Sequence, residues 1–211
     1  MNTGNITINT HSSIRVAGSR ILYFDPYEVK DEAHDADLIF VTHSHYDHMD
    51  EKSIAKISKD DTVFFAPASI RSEMNAIAGS RRIFFLDPGE TAELEDIVCR
   101  AVPAYNRLKP FHPKKNAWLG YVVTMDGTTY YVAGDTDALK ENETVSCDVA
   151  LVPVGGKFTM NAAAAAEMVN AIRPAAAIPT HYGSVVGKPE DAETFKKNVS
   201  EGIQVDFKID F

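Results

Sequence analysis

Short apolar runs separated by polar turns dominate the chain, and this pattern predicts many short strands with a few helices between them. The predicted strands cover residues 6–10, 14–16, 21–24, 38–42, 62–65, 83–86, 97–102, 118–124, 129–133, 149–152, 175–178 and 205–209. Helical spacing of apolar positions predicts helices over residues 51–58, 68–78, 162–172 and 189–198. Because strands and helices are mixed in both halves, we predict an α/β fold with two sheets packed face to face and helices outside, a four-layer αββα sandwich.

Composition places the chain among ordinary globular proteins. Its 211 residues, 45% hydrophobic and 24% charged, fit one domain over residues 1–211. No apolar stretch approaches the ~18 residues that a membrane span needs, and the first residues lack the basic and apolar pattern of a secretion signal. Cys99 and Cys147 lie far apart and indicate reduced thiols rather than a disulfide framework, so we predict a cytoplasmic protein.

The acidic charge balance narrows the range of partners. A net charge of −9 argues against a nucleic-acid partner and weakly against an anionic membrane surface. A small anionic substrate stays compatible with it, because a bound metal inverts the local field. We therefore expect a small-molecule substrate, no nucleic acid and no membrane, and the sequence leaves a homo-oligomer open.

Potential metal ligands are concentrated directly after the predicted strand at 38–42. They are His43, His45, Asp47 and His48, within six positions. Imidazole and carboxylate are ligands that borderline divalent metals prefer, and both need partners when buried. Open α/β sheets place their ligands at the carboxyl ends of strands. The pattern therefore favours a metal site over a solvated polar loop.

Two further strands are followed by a residue of the same chemical type. Asp135 follows the predicted strand at 129–133, and His181 follows the predicted strand at 175–178. Each alone is weak evidence, since Gly-Asp pairs often form turns. Together with the first cluster they supply one carboxylate that can bridge two metals and one more imidazole. Two metals roughly 3.5–4 Å apart form a recognised hydrolytic centre.

The sequence resembles the metallo-β-lactamase-fold hydrolases, whose signature is His-x-His-x-Asp-His followed by a His, a bridging Asp and a final His. Within them it resembles the ascorbate-6-phosphate-lactonase-like branch and related metal-dependent hydrolases. The matching stretches are residues 10–13, 24–27, 43–48, 102–105, 134–137, 155–160 and 179–182. The resemblance implies the αββα sandwich of that family. It also implies Zn²⁺, with Mn, Fe or Ni as alternatives, at one or two ions per chain.

The resemblance also implies a role for each ligand. In the first metal site the ligands are His43 and His45. In the second they are Asp47, His48 and His181, while Asp135 bridges the two. Asp47 and Asp135 are the candidate catalytic residues. Asp47 is both a ligand and the candidate for handling the proton of the attacking water.

One position departs from the family's pattern. The third ligand of the first site usually follows the strand that ends near residue 102, and this chain has Asn106 there. A neutral amide is a poor ligand for zinc beside imidazole. His112 lies six residues further on, and it is either the substitute ligand or a substrate-binding or proton-transfer group.

Several other residues are weaker candidates. Asp25 is expected to orient a ligand imidazole, and His11 is expected near the site in the same kind of role. The Gly155-Gly156 pair lets a loop pass close to a ligand, and Lys157 adds a positive charge to it. Tyr105, Lys157 and Tyr182 are weak candidates for substrate contacts.

The predicted activity is metal-dependent hydrolysis of a small substrate. A metal-activated water or hydroxide attacks an ester, lactone, amide or phosphoester. The alternatives are a degenerate metal-binding or regulatory protein, which Asn106 makes plausible, and a nuclease on the same fold.

Overall fold

The computed structural model describes residues 1–210, in which the strands form two sheets. The first sheet holds, in spatial order, β1 (Ile6–Ile8), β2 (Ile14–Ala17), β3 (Ile21–Phe24), β4 (Ala36–Phe40), β5 (Ser58–Pro67) and β6 (Ile83–Leu86). The second sheet holds, again in spatial order, β7 (Thr91–Leu94), β8 (Ile97–Pro103), β9 (Leu119–Met125), β10 (Thr128–Val132), β11 (Val149–Pro153), β12 (Ala176–Thr180) and β13 (Gln204–Val205). The α-helices are α1 (Glu51–Ile57), α2 (Arg71–Ala78), α3 (Ala162–Ile172) and α4 (Pro189–Asn198).

Alternation along the strands builds the layers. In β4, Leu38 and Phe40 belong to the core between the two sheets, whereas Ile39 belongs to a separate core beneath α1 and α2. Side chains of a strand point alternately to opposite faces, so one apolar run serves both cores. Phe40 stacks on Phe65 at 4.6 Å and meets Tyr121 of the second sheet at 5.3 Å.

The second sheet has its own helical cover. Met168 and Val169 of α3 and Phe195 of α4 are buried in the central core cluster, and α3 contacts both α4 and β11. Helices therefore lie outside each sheet, and the predicted four-layer αββα arrangement is confirmed.

Strand direction brings the polar loops to one edge. β3 runs parallel to β4, and β10, β11 and β12 run parallel to one another. Two antiparallel pairings in sequence make β1 parallel to β3 and β8 parallel to β10. The carboxyl ends of all these strands consequently meet at the same side of the sandwich, where α/β sheets place their ligands.

Three predicted elements differ from the structure. The predicted strand at 205–209 is wrong beyond Val205, because the chain there leaves the edge of the sheet, and Lys208 Nζ donates to Thr3 O instead. The strand β7 was not predicted, because it is a short and partly exposed edge strand with little apolar content. The predicted helix at 68–78 begins as a 3₁₀ turn, Ala68–Ile70, before α2.

β9 and β10 form a tight antiparallel hairpin. Asp126 and Gly127 form a two-residue turn with φ of 52° and 72°, the combination that a type I′ turn requires. None of the helices within residues 1–210 is long and apolar enough to span a bilayer.

Candidate metal centre

Polar side chains from six loops converge where these strand ends meet. His11 follows β1, Asp25 follows β3, and the segment 43–48 follows β4. The others are His112 in the β8–β9 loop, Asp135 after β10 and His181 after β12. Local hydrogen bonds coil the motif into a turn, in which the His48 and Met49 amides donate to His45 O. That turn leads into α1, which Asp50 caps.

Three sets of potential ligand atoms form within this cluster, and the third, which is His43, His48 and Asp135, shares a histidine with each of the other two groups. The first group is His43, His45 and His112. The second group is His11, Asp47, His48 and His181. Within each group the potential ligand atoms all lie within 4.8 Å of one another. The residues that the sequence placed in two sites are therefore brought together in two sets, with His112 in the first and His11 added to the second.

Asp135 lies between the two groups. One oxygen, Oδ2, is 3.2 Å from His112 Nε2 of the first group and 3.0 Å from His181 Nε2 of the second. The other oxygen, Oδ1, is 3.4 Å from His48 Nε2. Only 4% of the residue is exposed. Asp135 is therefore within contact distance of histidines from both groups.

Many of these buried atoms have no hydrogen-bond partner. Among the described residues they are His11 Nε2, His48 Nε2, His112 Nε2, Asp135 Oδ1, and both ring nitrogens of His181. Buried polar atoms are nearly always paired, and an ion is one of the few explanations for a cluster that is not. The donor set of imidazoles and carboxylates therefore fits divalent metal ions.

One buried carboxylate orients both groups. Asp25 Oδ2 accepts a hydrogen bond from His48 Nδ1 at 2.7 Å, which turns His48 Nε2 toward the second group. The same oxygen accepts from Thr42 Oγ1 at 2.7 Å, and that hydroxyl lies 2.9 Å from His43 Nδ1. The network assigns the Nδ1 proton of both histidines and leaves each Nε2 facing the centre. This network is consistent with the predicted orienting role of Asp25. The part played by Thr42 was not predicted from the sequence.

Asn106 supports His112 in the same way. Asn106 Oδ1 is 3.0 Å from His112 Nδ1, and Asn106 Nδ2 donates to Phe158 O at 2.9 Å. The amide of Asn106 also donates to His112 O at 2.7 Å, which closes the loop between them. Both ends of the Asn106 side chain are thus engaged, and the geometry favours His112 over Asn106 as the third ligand.

Three residues of this centre have a strained backbone conformation. His11, Asp25 and His181 have φ of 55°, 47° and 59°, in the left-handed region that non-glycine residues rarely adopt. Such conformations cost on the order of 1–3 kcal/mol each and cluster at functional sites. Gly155 must also be glycine, because a Cβ there would lie 2.3 Å from His181 O.

Electrostatics keep the carboxylates ionised. Burial would raise the pKa of Asp135, but His181 and His48 outweigh it and hold this pKa well below its usual value. Burial likewise opposes ionisation of Asp47, but its contact with His11 and the charge of His48 lower its pKa to about 2. Burial favours neutral His48, yet Asp135 and Asp25 raise its pKa to about 9. Burial lowers the pKa of His11 to about 4. The centre is therefore an anionic cavity that attracts cations.

A pocket of about 400 Å³ opens onto the centre. Its lining includes His45, Asp47, His112 and Asp135 together with Tyr46, Phe111, Lys157, Phe158 and Val185. Phe111 and Phe158 pack edge to face at 4.7 Å and form an aromatic wall. Lys157, a candidate substrate contact, is thus one of the residues that line this pocket.

The two candidate tyrosines lie elsewhere. Tyr105 Oη donates to Glu141 Oε1 at 3.1 Å on the neighbouring surface, and Tyr182 is only 1% exposed within the core. Neither lines the pocket described above. Nothing in the structure tests whether they contact a substrate, so that assignment stays a prediction.

Comparison with known proteins gives the family. The model of the β-lactamase superfamily domain matches residues 4–182. The chain belongs to the β-lactamase superfamily. A UPF0173 metal-dependent hydrolase from Thermoplasma acidophilum is 36% identical over 202 residues, which cover 88% of this chain and 86% of the relative.

Solved structures agree with this assignment to the superfamily. A proposed metal-dependent hydrolase from Parabacteroides distasonis matches with a TM-score of 0.81 and 30% identity, over 97% of this chain and 93% of that one. Igni18, a metallo hydrolase from Ignicoccus hospitalis, matches in fold with a TM-score of 0.76 at 21% identity, over 97% and 95%. The predicted metallo-β-lactamase fold and the enzyme class of metal-dependent hydrolase are confirmed.

Proposed function

We propose that this superfamily member hydrolyses a small ester, lactone, amide or phosphoester by means of a metal-activated water at a two-metal centre. The proposed ligands of the first metal are His43, His45 and His112, those of the second include Asp47, His48 and His181, and Asp135 bridges them. Zinc is the metal we favour, since imidazole and carboxylate are its usual ligands, with Mn, Fe or Ni as alternatives.

One observation carries the proposal. Six buried nitrogen and oxygen atoms of His11, His48, His112, Asp135 and His181 converge without a hydrogen-bond partner. Leaving such atoms unpaired costs about 1–3 kcal/mol each, and a fold retains that cost only where a ligand compensates for it. This supports a functional metal centre over a degenerate binding protein, because His112 makes up for the missing ligand at Asn106.

Each part of the site has a chemical task in this proposal. The bound metals would lower the pKa of a water and polarise the electrophilic oxygen of the substrate. Asp47 reaches both the second group and the pocket, so its carboxylate is placed to take the proton of that water. Asp25 fixes the ring of His48 directly and that of His43 through Thr42.

The pocket limits the substrate. A volume of about 400 Å³ lies near the lower end of the range for small-molecule sites, roughly 300–1,000 Å³. Its aromatic wall of Phe111 and Phe158 suits an apolar or aromatic group, and Lys157 suits an anionic substituent. The net charge of −9 and the narrow pocket both argue against a nuclease.

Metal analysis combined with a substrate panel tests the proposal. The purified protein should hold between one and two transition-metal ions per chain after reconstitution with zinc or manganese. It should then hydrolyse at least one class among aryl esters, lactones, anilides and phosphodiesters, and chelation should abolish that activity. A protein that retains no metal after reconstitution would refute the two-metal centre.

A further inference from the structure

His11 is the member of the second group that the sequence motif does not contain. It lies in the turn between β1 and β2, and its side chain is fully buried. The backbone amide of His181 donates to His11 O at 2.9 Å, and the two rings lie 3.8 Å apart between centroids. This hydrogen bond fastens the turn to the strand end that carries His181.

The free nitrogen of His11 points into the group. His11 Nε2 is 3.2 Å from Asp47 Oδ2, yet this contact lacks the geometry of a hydrogen bond. The other nitrogen, Nδ1, lies 3.4 Å from Ser184 Oγ at the outer side of the ring. A histidine that served only to orient Asp47 would direct an Nε2–H at the carboxylate in good alignment. With the ring proton on Nδ1, toward Ser184 Oγ, Nε2 presents a lone pair to the Asp47 carboxylate, and a cation between them would remove the repulsion.

We infer that His11 is a direct ligand, through Nε2, of the metal held by the second group. The inference rests on the proposed two-metal centre and adds a ligand to it. The second metal then has five protein donors, which are His11, Asp47, His48, His181 and the bridging Asp135. The first metal has four, which are His43, His45, His112 and Asp135.

This inequality distinguishes the two metals chemically. Catalytic zinc commonly takes three protein ligands and keeps one position for water or substrate. Five protein donors suit an ion that accepts five or six ligands, such as Mn²⁺ or Fe²⁺. The second metal would then be held by more protein donors than the first, which would leave the first with more positions for water or substrate.

A glycine substitution tests the ligand with little disturbance of the backbone. His11 has φ of 55°, which glycine adopts without steric cost, so His11→Gly removes the ring and leaves space for added imidazole. His34→Gly is the matched control, because His34 also has a left-handed φ, of 43°, but is exposed and hydrogen-bonds to Ser58 O. Metal-free protein is titrated with Co²⁺ against a competing chelator, and both equivalents are resolved.

We expect His11→Gly to weaken one of the two Co²⁺ equivalents by more than about 100-fold, beyond the roughly 10- to 100-fold typical of residues that only orient a ligand. Imidazole should restore that equivalent and its visible absorption spectrum, and His34→Gly should match the wild type. A weakening of less than about 100-fold, or no rescue by imidazole, would overturn the inference.

A crystal structure of the metal-loaded wild type decides the matter independently of any variant's folding. A distance of about 2.0–2.1 Å from His11 Nε2 to the metal supports coordination. A distance above about 3 Å, with Nε2–H donating to Asp47, would show a positioning residue instead. Wild-type protein that binds no metal would refute the two-metal centre itself, which is a different observation from two bound metals with His11 apart from both.

Discussion

Replacing Asp25 with asparagine should weaken metal binding at both groups, although Asp25 belongs to neither. The substitution keeps the size of the side chain, and asparagine tolerates the left-handed φ of 47° better than most residues. One amide oxygen can still accept from the Thr42 amide, as Asp25 Oδ1 does at 2.8 Å. The amide nitrogen, however, replaces the oxygen that accepts from both His48 Nδ1 and Thr42 Oγ1.

The size of the effect follows from that exchange. A hydrogen bond to a charged group contributes about 1.5–3 kcal/mol net, and here a donor would face a donor. At about 1.4 kcal/mol per tenfold change, the loss corresponds to roughly 10- to 100-fold in affinity. The same range is typical when the partner of a metal-binding histidine is removed. We therefore expect Asp25→Asn to weaken zinc binding at the second group by about 10- to 100-fold, with a smaller loss at the first.

The assay is titration of metal-free protein with zinc against a chromophoric chelator, with both equivalents resolved. Thr42→Val separates the two routes, because it removes only the hydroxyl between Asp25 and His43 and should affect the first group alone. Asp37→Asn is the control. The Asp37 carboxylate also accepts from one backbone amide, that of Ile21, and from one side chain, that of Lys59. Asp37 lies in β4, however, and belongs to neither ligand group. Both zinc affinities of Asp25→Asn within about twofold of wild type would refute the reasoning.

Three other substitutions test the centre. Asp135→Asn should remove hydrolysis and metal retention together, because an amide cannot neutralise two cations. Asp137→Asn should do much less, since the Asp137 carboxylate pairs with Lys109 instead. Equal metal loss in the two variants by elemental analysis would contradict this assignment. His112→Ala should lower metal occupancy at the first group only, measured by anomalous scattering, and intact occupancy with slower turnover would make His112 a substrate contact. Lys157→Gln should raise KM for an anionic aryl ester by about three- to fivefold and leave its neutral isostere unchanged, as expected for one exposed charge; equal KM values for the two esters would exclude Lys157 from recognition.

The sequence predicted those parts of the centre that follow directly from strand ends. His43, His45, Asp47 and His48 come immediately after an apolar run, and Asp135 after another. In an α/β sheet, the carboxyl end of a buried strand already defines where the next residues lie. Local sequence was therefore sufficient to place these residues at one edge.

The remaining contacts depend on tertiary packing. His11 meets His181 only because the β1–β2 turn and the end of β12 belong to different sheets that face each other. The aromatic wall joins Phe111 and Phe158 from two separate loops, and no spacing in the sequence links them. Thr42 was predicted merely as the last residue of a strand, because a hydroxyl carries no signal until its neighbours are known.

The departure at Asn106 shows how packing brings a residue that is distant in sequence to the centre. In the sequence, five residues including Pro110 separate Asn106 from His112, and that distance leaves the role of His112 open. In the structure the loop folds back so that the Asn106 amide donates to His112 O, and the Asn106 side chain orients His112 Nδ1. The asparagine thus takes an orienting role, and the histidine reaches the position near Asp135.

The charges of the centre explain why the fold holds it together before any metal arrives. Asp25 and Asp135 lie 2.7 and 3.4 Å from the two nitrogens of His48, and burial alone cannot keep that ring neutral against them. Their charges outweigh burial and raise the pKa of His48 to about 9, so the carboxylates favour a positive charge at this ring. A metal ion bound through His48 Nε2 displaces the proton at that nitrogen and leaves the Nδ1–H on Asp25 in place. A proton or a metal ion at His48 Nε2 would therefore stabilise the same arrangement of side chains. The hydrogen bond from His48 Nδ1 to Asp25 is compatible with either.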